Sequence, residues 1–152
     1  MEVKKLLHQE WGAGEIWTGI VALDHQAISP SWNDQAWREM ADANQHYQLF
    51  YCSGVELAVE GFTLWRKVEG DSVAHLLKIA VAHPLQRQGR GQLLIGSSIK
   101  LLKGGATSCY LEVQQDNLGA IALYHKCGFS QLHQIRGFYP EGGNALVMGM
   151  DL

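Results

Sequence analysis

Three groups of residues in this chain have types and spacings suited to chemistry. The first is the run Gln86, Arg87, Gln88, Gly89, Arg90, Gly91 and Gln92, a basic turn broken by glycines that follows an apolar stretch. Consecutive backbone N–H groups in such a turn converge on an anion, and the positive end of a following helix dipole adds to them. Glycine at 89 and 91 removes the Cβ atoms that would hold a phosphate away, while Arg87 and Arg90 bring charge to the rim. The second group is Glu112, a carboxylate inside an apolar, strand-like run. Ionisation there is costly unless the group is paired or lines a wet cleft. The third is Tyr124 on a predicted helix that starts at Asn117. A tyrosine of ordinary pKa, near 10, keeps its proton at neutral pH and can donate it.

Other phosphate motifs fail on position. A P-loop requires Gly-Lys-Ser/Thr after its glycines, and a dinucleotide fingerprint requires GxGxxG; here Leu94 stands where the third glycine would be, and the next glycine is Gly96. A ligand-free helix-start turn is the plain alternative for a lone GxG, and a core position is the plain alternative for Tyr124. The histidines, His75, His83, His125 and His133 among them, show no HxxxH, HExxH or Cys/His ligand spacing, so no metal site is expected. Cys52, Cys109 and Cys127 form no CxxC unit and read as reduced thiols of a cytosolic protein, with Cys127 as packing. Trp32, Trp37 and Tyr139 are candidates for an acceptor groove, although aromatics at such spacing also serve as core. Tyr139 is favoured because its loop carries Pro140, Gly142 and Gly143.

The elements that must position these groups follow from periodicity. The opening residues are polar and helix-like, with Ile16, Ile20, Val21 and Leu23 spaced for one buried face. Residues 28–32 break that pattern, and Ser31 or Asn33 caps a second helix running to Ala43. From Tyr47 the period becomes that of strands, predicted at 47–52, 57–65 and 74–81 with turns at Gly54 and Gly70. The last of these is apolar on nearly all sides and is expected to be central. His83 and Pro84 end it. A helix over 89–102 stops at Gly104 and Gly105, a strand follows at 109–113, and Asn117 caps a helix that Gly128 ends. Strands at 129–138 and 145–150 close the chain. A meander followed by alternating helices and strands predicts a mixed sheet flanked by helices, an α/β (α+β) fold.

Totals bound the function. A chain of 152 residues, 47% hydrophobic and 18% charged, can bury a core and fits a single domain over residues 1–152. A formal net charge of −3 gives no overall pull towards nucleic acid or an anionic membrane. The basic residues Arg87, Arg90, Lys100 and Lys103 cluster locally, which suits a phosphate-bearing small molecule. Residues 1–11 have no apolar core of signal-peptide length, and no apolar stretch approaches the roughly 20 residues needed to span a bilayer, so a cytoplasmic protein is expected.

The pattern Gln86-x-x-Gly89-x-Gly91 resembles the pyrophosphate loop of the GNAT superfamily of N-acetyltransferases. The segment from Leu111, Glu112 and Val113 through Asn117, Ala120, Ile121, Leu123, Tyr124 and Lys126 to Gly128 and Phe129 resembles its ribosomal-protein-alanine N-acetyltransferase branch. Arg136, Phe138, Tyr139 and the run 145–148 are similar to that branch's closing segment, and Pro30 and Trp32 to its upstream turn. The strong resemblance covers residues 74–150. It implies a GNAT-type, mostly antiparallel sheet of six to seven strands with about four helices. It also implies acetyl-CoA as co-substrate and a primary amine as acceptor, a protein N-terminal α-amine among the candidates. Carried over, Ile79, Ala80 and Val81 flank the pantetheine arm, residues 86–92 hold the pyrophosphate, and Asn117 and Tyr124 contact the arm. Glu112 takes the role of base through water, and Tyr124 that of acid to the sulfur. Trp32 and Tyr139 fall on the substrate side. Lys78, Gln114 and Asn144 depart from asparagine, arginine and aspartate common in the branch, which leaves the cofactor assignment but loosens the acceptor. A small-amine acceptor and a CoA-binding sensor without turnover are the competing readings, and a monomer or weak dimer is expected.

Overall fold

A computed structural model describes residues 1–102 and 105–152. A seven-stranded sheet runs in the order β1-β2-β3-β4-β5-β7-β6. Its strands are β1 (Lys4–Leu6), β2 (Tyr47–Ser53), β3 (Val59–Arg66), β4 (Val73–Val81), β5 (Ser108–Gln114), β6 (Ser130–Ile135) and β7 (Ala145–Asp151). The helices are α1 (Glu15–Ala27), α2 (Asp34–Asp42), α3 (Arg90–Leu101) and α4 (Leu118–Cys127). Every neighbouring pair is antiparallel except β4 and β5. Two cores cover the sheet. Trp17, Ile20, Leu23, Trp37 and Met40 from α1 and α2 pack on Leu49, Phe62 and Leu64 on one face. On the other face, Ile95 of α3 and Tyr124 of α4 pack with Leu111, Val113, Phe129 and Met148. Each large apolar side chain so buried contributes roughly 1.5–3 kcal/mol against the entropy of ordering the chain.

Local chemistry explains the helix bounds. Asn33 is the residue that caps α2, its side chain accepting from the Ala36 N–H at 2.8 Å, and Asn117 caps α4 in the same way through Ala120. Helix α3 ends at Leu101, ahead of the expected glycine stop; Gly104 and its neighbour Lys103 lie outside the described residues.

Three boundaries differ from those read in the sequence. Apart from a 3₁₀ turn at His8–Glu10, the opening residues are not helical until Glu15: Lys4–Leu6 is an edge strand paired with β2, Leu6 opposite Leu49, and a three-residue strand is too short to show a period. Strand β3 starts at Val59 rather than 57, because Val55–Leu57 forms a 3₁₀ turn with Glu56 and Leu57 at φ 58° and 59°. Strand β6 stops at Ile135, and Phe138 and Tyr139 enter a tight turn closed by the Gly142 N–H on the Tyr139 carbonyl.

Two irregularities in β4 shape the centre. Its pairing with β5 is limited to Val73, Ala74 and His75 opposite Ser108, Cys109 and Tyr110, after which the strands part. On its other edge Leu76 faces Trp65 while Lys78 faces Leu64, so Leu77 is an extra residue, a bulge. Leu76 therefore packs in the α3/α4 core, Leu77 packs towards α1 and α2, and Lys78 also reaches that side.

Candidate active site

The gap between β4 and β5 leaves backbone polar groups of a central strand without a strand partner, which a buried sheet rarely tolerates unless a ligand supplies one. The bond from the Ala82 N–H to the Glu60 carbonyl fixes the alternation along β4. Ala80 exchanges its bonds with β3, whereas Ile79 and Val81 turn their N–H and C=O to the open edge. Of the three residues expected along a cofactor arm, Ile79 and Val81 are placed to bond one through the backbone and Ala80 is not. The Val81 carbonyl already accepts from Gln86 Nε2 at 3.0 Å, which ties the following turn to the strand.

That turn has the conformation its sequence demands. Arg87 and Gly89 sit in the left-handed region, at φ 62° and 78°. A Cβ on Gly89 would meet nothing within 4 Å, so glycine serves the backbone angle and leaves the space above it clear. A Cβ on Gly91 would come 3.0 Å from Leu123 Cδ2, so the second glycine lets α3 approach α4. Among the described residues the N–H groups of Arg87, Gln88 and Gly89 make no backbone hydrogen bond, and those of Arg90, Gly91 and Gln92 are the orphan donors of the first helical turn. Gln88 Nε2 reaches back to the Pro84 carbonyl. Arg90 does not stand free: its Nη1 lies 2.9 Å from Glu60 Oε2 on β3. A shallow groove lined by Gly89, Gln92, Leu93, Gly96 and Lys100 continues along α3. An open strand edge leading to N–H donors fits an amide-bearing arm that ends in a diphosphate.

Glu112 faces the side of the sheet opposite the α3/α4 core, at the mouth of the gap. His75 on β4 meets it, Nε2 to Oε2 at 2.5 Å, and the same imidazole stacks on Tyr110 with ring centroids 4.2 Å apart. An ionised carboxylate only accepts, so His75 Nε2–H is the donor. His75 was weighed in the sequence only as a metal ligand, and its link to Glu112 follows from strand pairing that no local pattern reveals.

Tyr124 is buried, packing edge-on against Phe129 with centroids 5.9 Å apart. Its hydroxyl has no protein hydrogen-bond partner among the described residues. Burial, with Cys127 and Tyr139 nearby, pushes its pKa up to about 12. Tyr139 is raised too, by burial first and then by Glu112 and Glu141. Tyr139 thus lies within electrostatic reach of both Glu112, which faces away from the α3/α4 core, and Tyr124, which is part of that core. The 136–144 loop is pinned by Asn144, whose Oδ1 accepts the Gly137 N–H and whose carbonyl accepts the Gln115 N–H. Gln114 bonds Glu141 at 3.1 Å. Asn117 Oδ1 is spent on its cap, which leaves its amide N–H groups to other partners.

Trp32 is half-buried in the segment between α1 and α2, edge-on to Trp37 and below it the ammonium of Lys78 at 4.6 Å from the ring. Lys78 pairs with the fully buried Asp24 at 2.9 Å, a contact the sequence did not suggest. Among the described residues no cluster of His, Cys, Asp and Glu could hold a metal ion, and no helix is long and apolar enough to cross a membrane.

Comparison with known proteins finds acetyltransferases by sequence and by fold. A model of the acetyltransferase (GNAT) family matches residues 10–129. The N-alpha-acetyltransferase of Sulfolobus acidocaldarius is 31% identical over 120 residues, 71% of either chain. The ribosomal protein bS18-alanine N-acetyltransferase of Escherichia coli is 43% identical over 83 residues, 52% of this chain and 56% of that protein. The crystal structure of the Escherichia coli ribosomal-protein-S18-alanine N-acetyltransferase superposes with a TM-score of 0.80 at 26% identity, covering 99% of this chain and 92% of that one.

Proposed function

Within the acetyltransferase (GNAT) family, to which this chain belongs, we propose an enzyme whose acceptor is the α-amine of a protein N-terminus. Acetyl-CoA is the acetyl donor, and it brings an acyl group already activated as a thioester. The chain's own residues have three tasks. Ile79 and Val81 offer the open strand edge, and the N–H groups of residues 87–92 offer the anion cradle, so together they orient the donor. Glu112, held by His75, accepts a proton from the acceptor ammonium through water. Tyr124 holds the proton that the departing sulfur needs.

The observation that carries the acceptor class is the Glu112 carboxylate, fixed by one imidazole at the mouth of the gap. An α-amine, with a pKa of about 7.7–8.0, needs far less help to lose a proton than a lysine at about 10.4. Tyr139 and Trp32 flank the approach on this face and are read as walls for the first residues of the peptide. The N-terminal activities in the names of the relatives support the same class. Residues 1–152 are read as one domain, which the single seven-stranded sheet supports.

The test is acetyl transfer measured as thiol release with four acceptors at equal concentration: peptides with free N-termini, the same peptides N-terminally blocked but bearing lysine, a polyamine and an aminoglycoside. Release with free N-termini alone is expected. Preferential release with a blocked lysine peptide or a small amine would overturn the acceptor assignment.

A further inference from the structure

We propose that the buried pair of Asp24 and Lys78 is a positioning device for the acceptor: it clamps the turn carrying Trp32 to strand β4 and so fixes one wall of the acceptor site, a role that presupposes the acceptor side assigned above. Asp24 sits in the last turn of α1 with no exposed surface. Its Oδ2 accepts the Trp32 backbone N–H at 3.1 Å and the Trp37 indole N–H at 2.9 Å. Its Oδ1 accepts Lys78 Nζ at 2.9 Å. One carboxylate thereby joins α1, the turn before α2, α2 itself and β4.

Lys78 completes the clamp from the strand side. Its side chain is 5% exposed, and the ammonium lies over the Trp32 ring. Among the described residues, Asp24 is its only hydrogen-bond acceptor, so the ring face takes the remaining attraction. The bulge at Leu77 is what allows this. Without the extra residue, regular alternation would turn Lys78 into the α3/α4 core, away from Asp24. With it, Lys78 shares a face with His75 and directly precedes Ile79, whose backbone opens onto the gap. A shift of the Trp32 turn relative to Lys78 therefore changes the separation between the acceptor wall and the edge that receives the donor.

Stability alone does not explain such a pair, because a buried ion pair replaced by apolar residues of similar volume is often no less stable. Fixed geometry is what a carboxylate with three donors from three elements supplies. Neither residue touches the reacting atoms, so their effect is on the acceptor's fit and not on proton transfer.

The experiment uses the full chain carrying 5-fluorotryptophan. The single variant K78M would leave Asp24 as a lone buried charge and risks misfolding, so the decisive variant is the double D24N/K78M. Its asparagine Oδ1 still accepts the tryptophan N–H groups while the tie to β4 is lost. The Trp32 fluorine resonance, identified by its absence in W32F, is expected to shift and broaden while that of Trp65, buried on the other face, stays put. Acceptor KM is expected to rise about tenfold with kcat and acetyl-CoA affinity nearly unchanged. An unmoved Trp32 signal in the folded double variant would overturn the clamp, as would a fall in kcat at constant KM. If the wild-type protein acetylates no N-terminal peptide, the acceptor reading fails separately, and the fluorine signal still decides whether the pair holds the turn.

Discussion

His75 Nε2 and Glu112 Oε2 lie 2.5 Å apart where β4 and β5 cease to pair, so the last paired residue of one strand orients the proposed base on the other. The E112Q variant is expected to lose kcat on the order of 10²-fold, the scale of one positioned base. H75F, which keeps a ring against Tyr110 but cannot donate, is expected to lose about tenfold. The double variant should be no slower than E112Q alone, because both act through one carboxylate. Steady-state kinetics of the three variants checks this, and additive losses would contradict it.

Tyr124 supplies a second prediction. Its hydroxyl is not spent on any partner among the described residues, so Y124F should leave the fold and acetyl-CoA affinity intact while kcat falls about 10²-fold. Calorimetric affinity and turnover measured on the same preparation separate the two effects. Full activity in Y124F would remove the acid role.

Alkaline titration tests the burial of the same group. Tyr110, Tyr124 and Tyr139 all have raised pKa values, with burial as the largest cause, and Tyr124 reaches about 12. A group whose folded pKa lies above its unfolded value of about 10 binds its proton more tightly in the folded state. Its contribution to stability is therefore complete below pH 10 and is lost as pH rises towards 12. For Tyr124 the shift corresponds to roughly 2–3 kcal/mol. Tyrosinate absorbance should rise in stages above pH 10, and Y124F should lose stability less steeply between pH 10 and 12 than the wild type does. Equal slopes would contradict the assignment.

The turn before α3 gives a stability and binding prediction together. G89A forces alanine to φ 78° and is expected to cost about 1 kcal/mol. It also places a methyl group beside the N–H donors of the cradle, and acetyl-CoA affinity should fall about tenfold or more. Denaturant unfolding and titration calorimetry read the two effects. A destabilised protein with unchanged affinity would place the diphosphate elsewhere.

Features governed by local rules are legible in the sequence. The glycine turn, the Asn117 cap and the carboxylate of Glu112 in an apolar strand each announce themselves within a few residues. What stayed hidden depends on distant pairing. His75 and Glu112 are 37 positions apart and Asp24 and Lys78 are 54 apart; both contacts need the sheet order, and the second also needs the Leu77 bulge. The bulge itself has no sequence mark, since Leu77 looks like any other apolar strand residue. Strand β1 was missed for a related reason: a single buried leucine in a three-residue edge strand defines no period. Ala80 turns its backbone to β3 and not to the open edge because alternation along β4 is set by its bond to β3, which spacing alone does not reveal.

The proposed reaction is acetyl transfer from acetyl-CoA bound in the β4–β5 gap to a peptide α-amine. The most direct measurement is calorimetric titration of the purified chain with acetyl-CoA, followed in the same solution by free-N-terminus peptides with thiol release monitored. Binding at micromolar concentration and release on addition of one peptide class are predicted. Absence of acetyl-CoA binding, or binding with no release to any amine, would contradict the account.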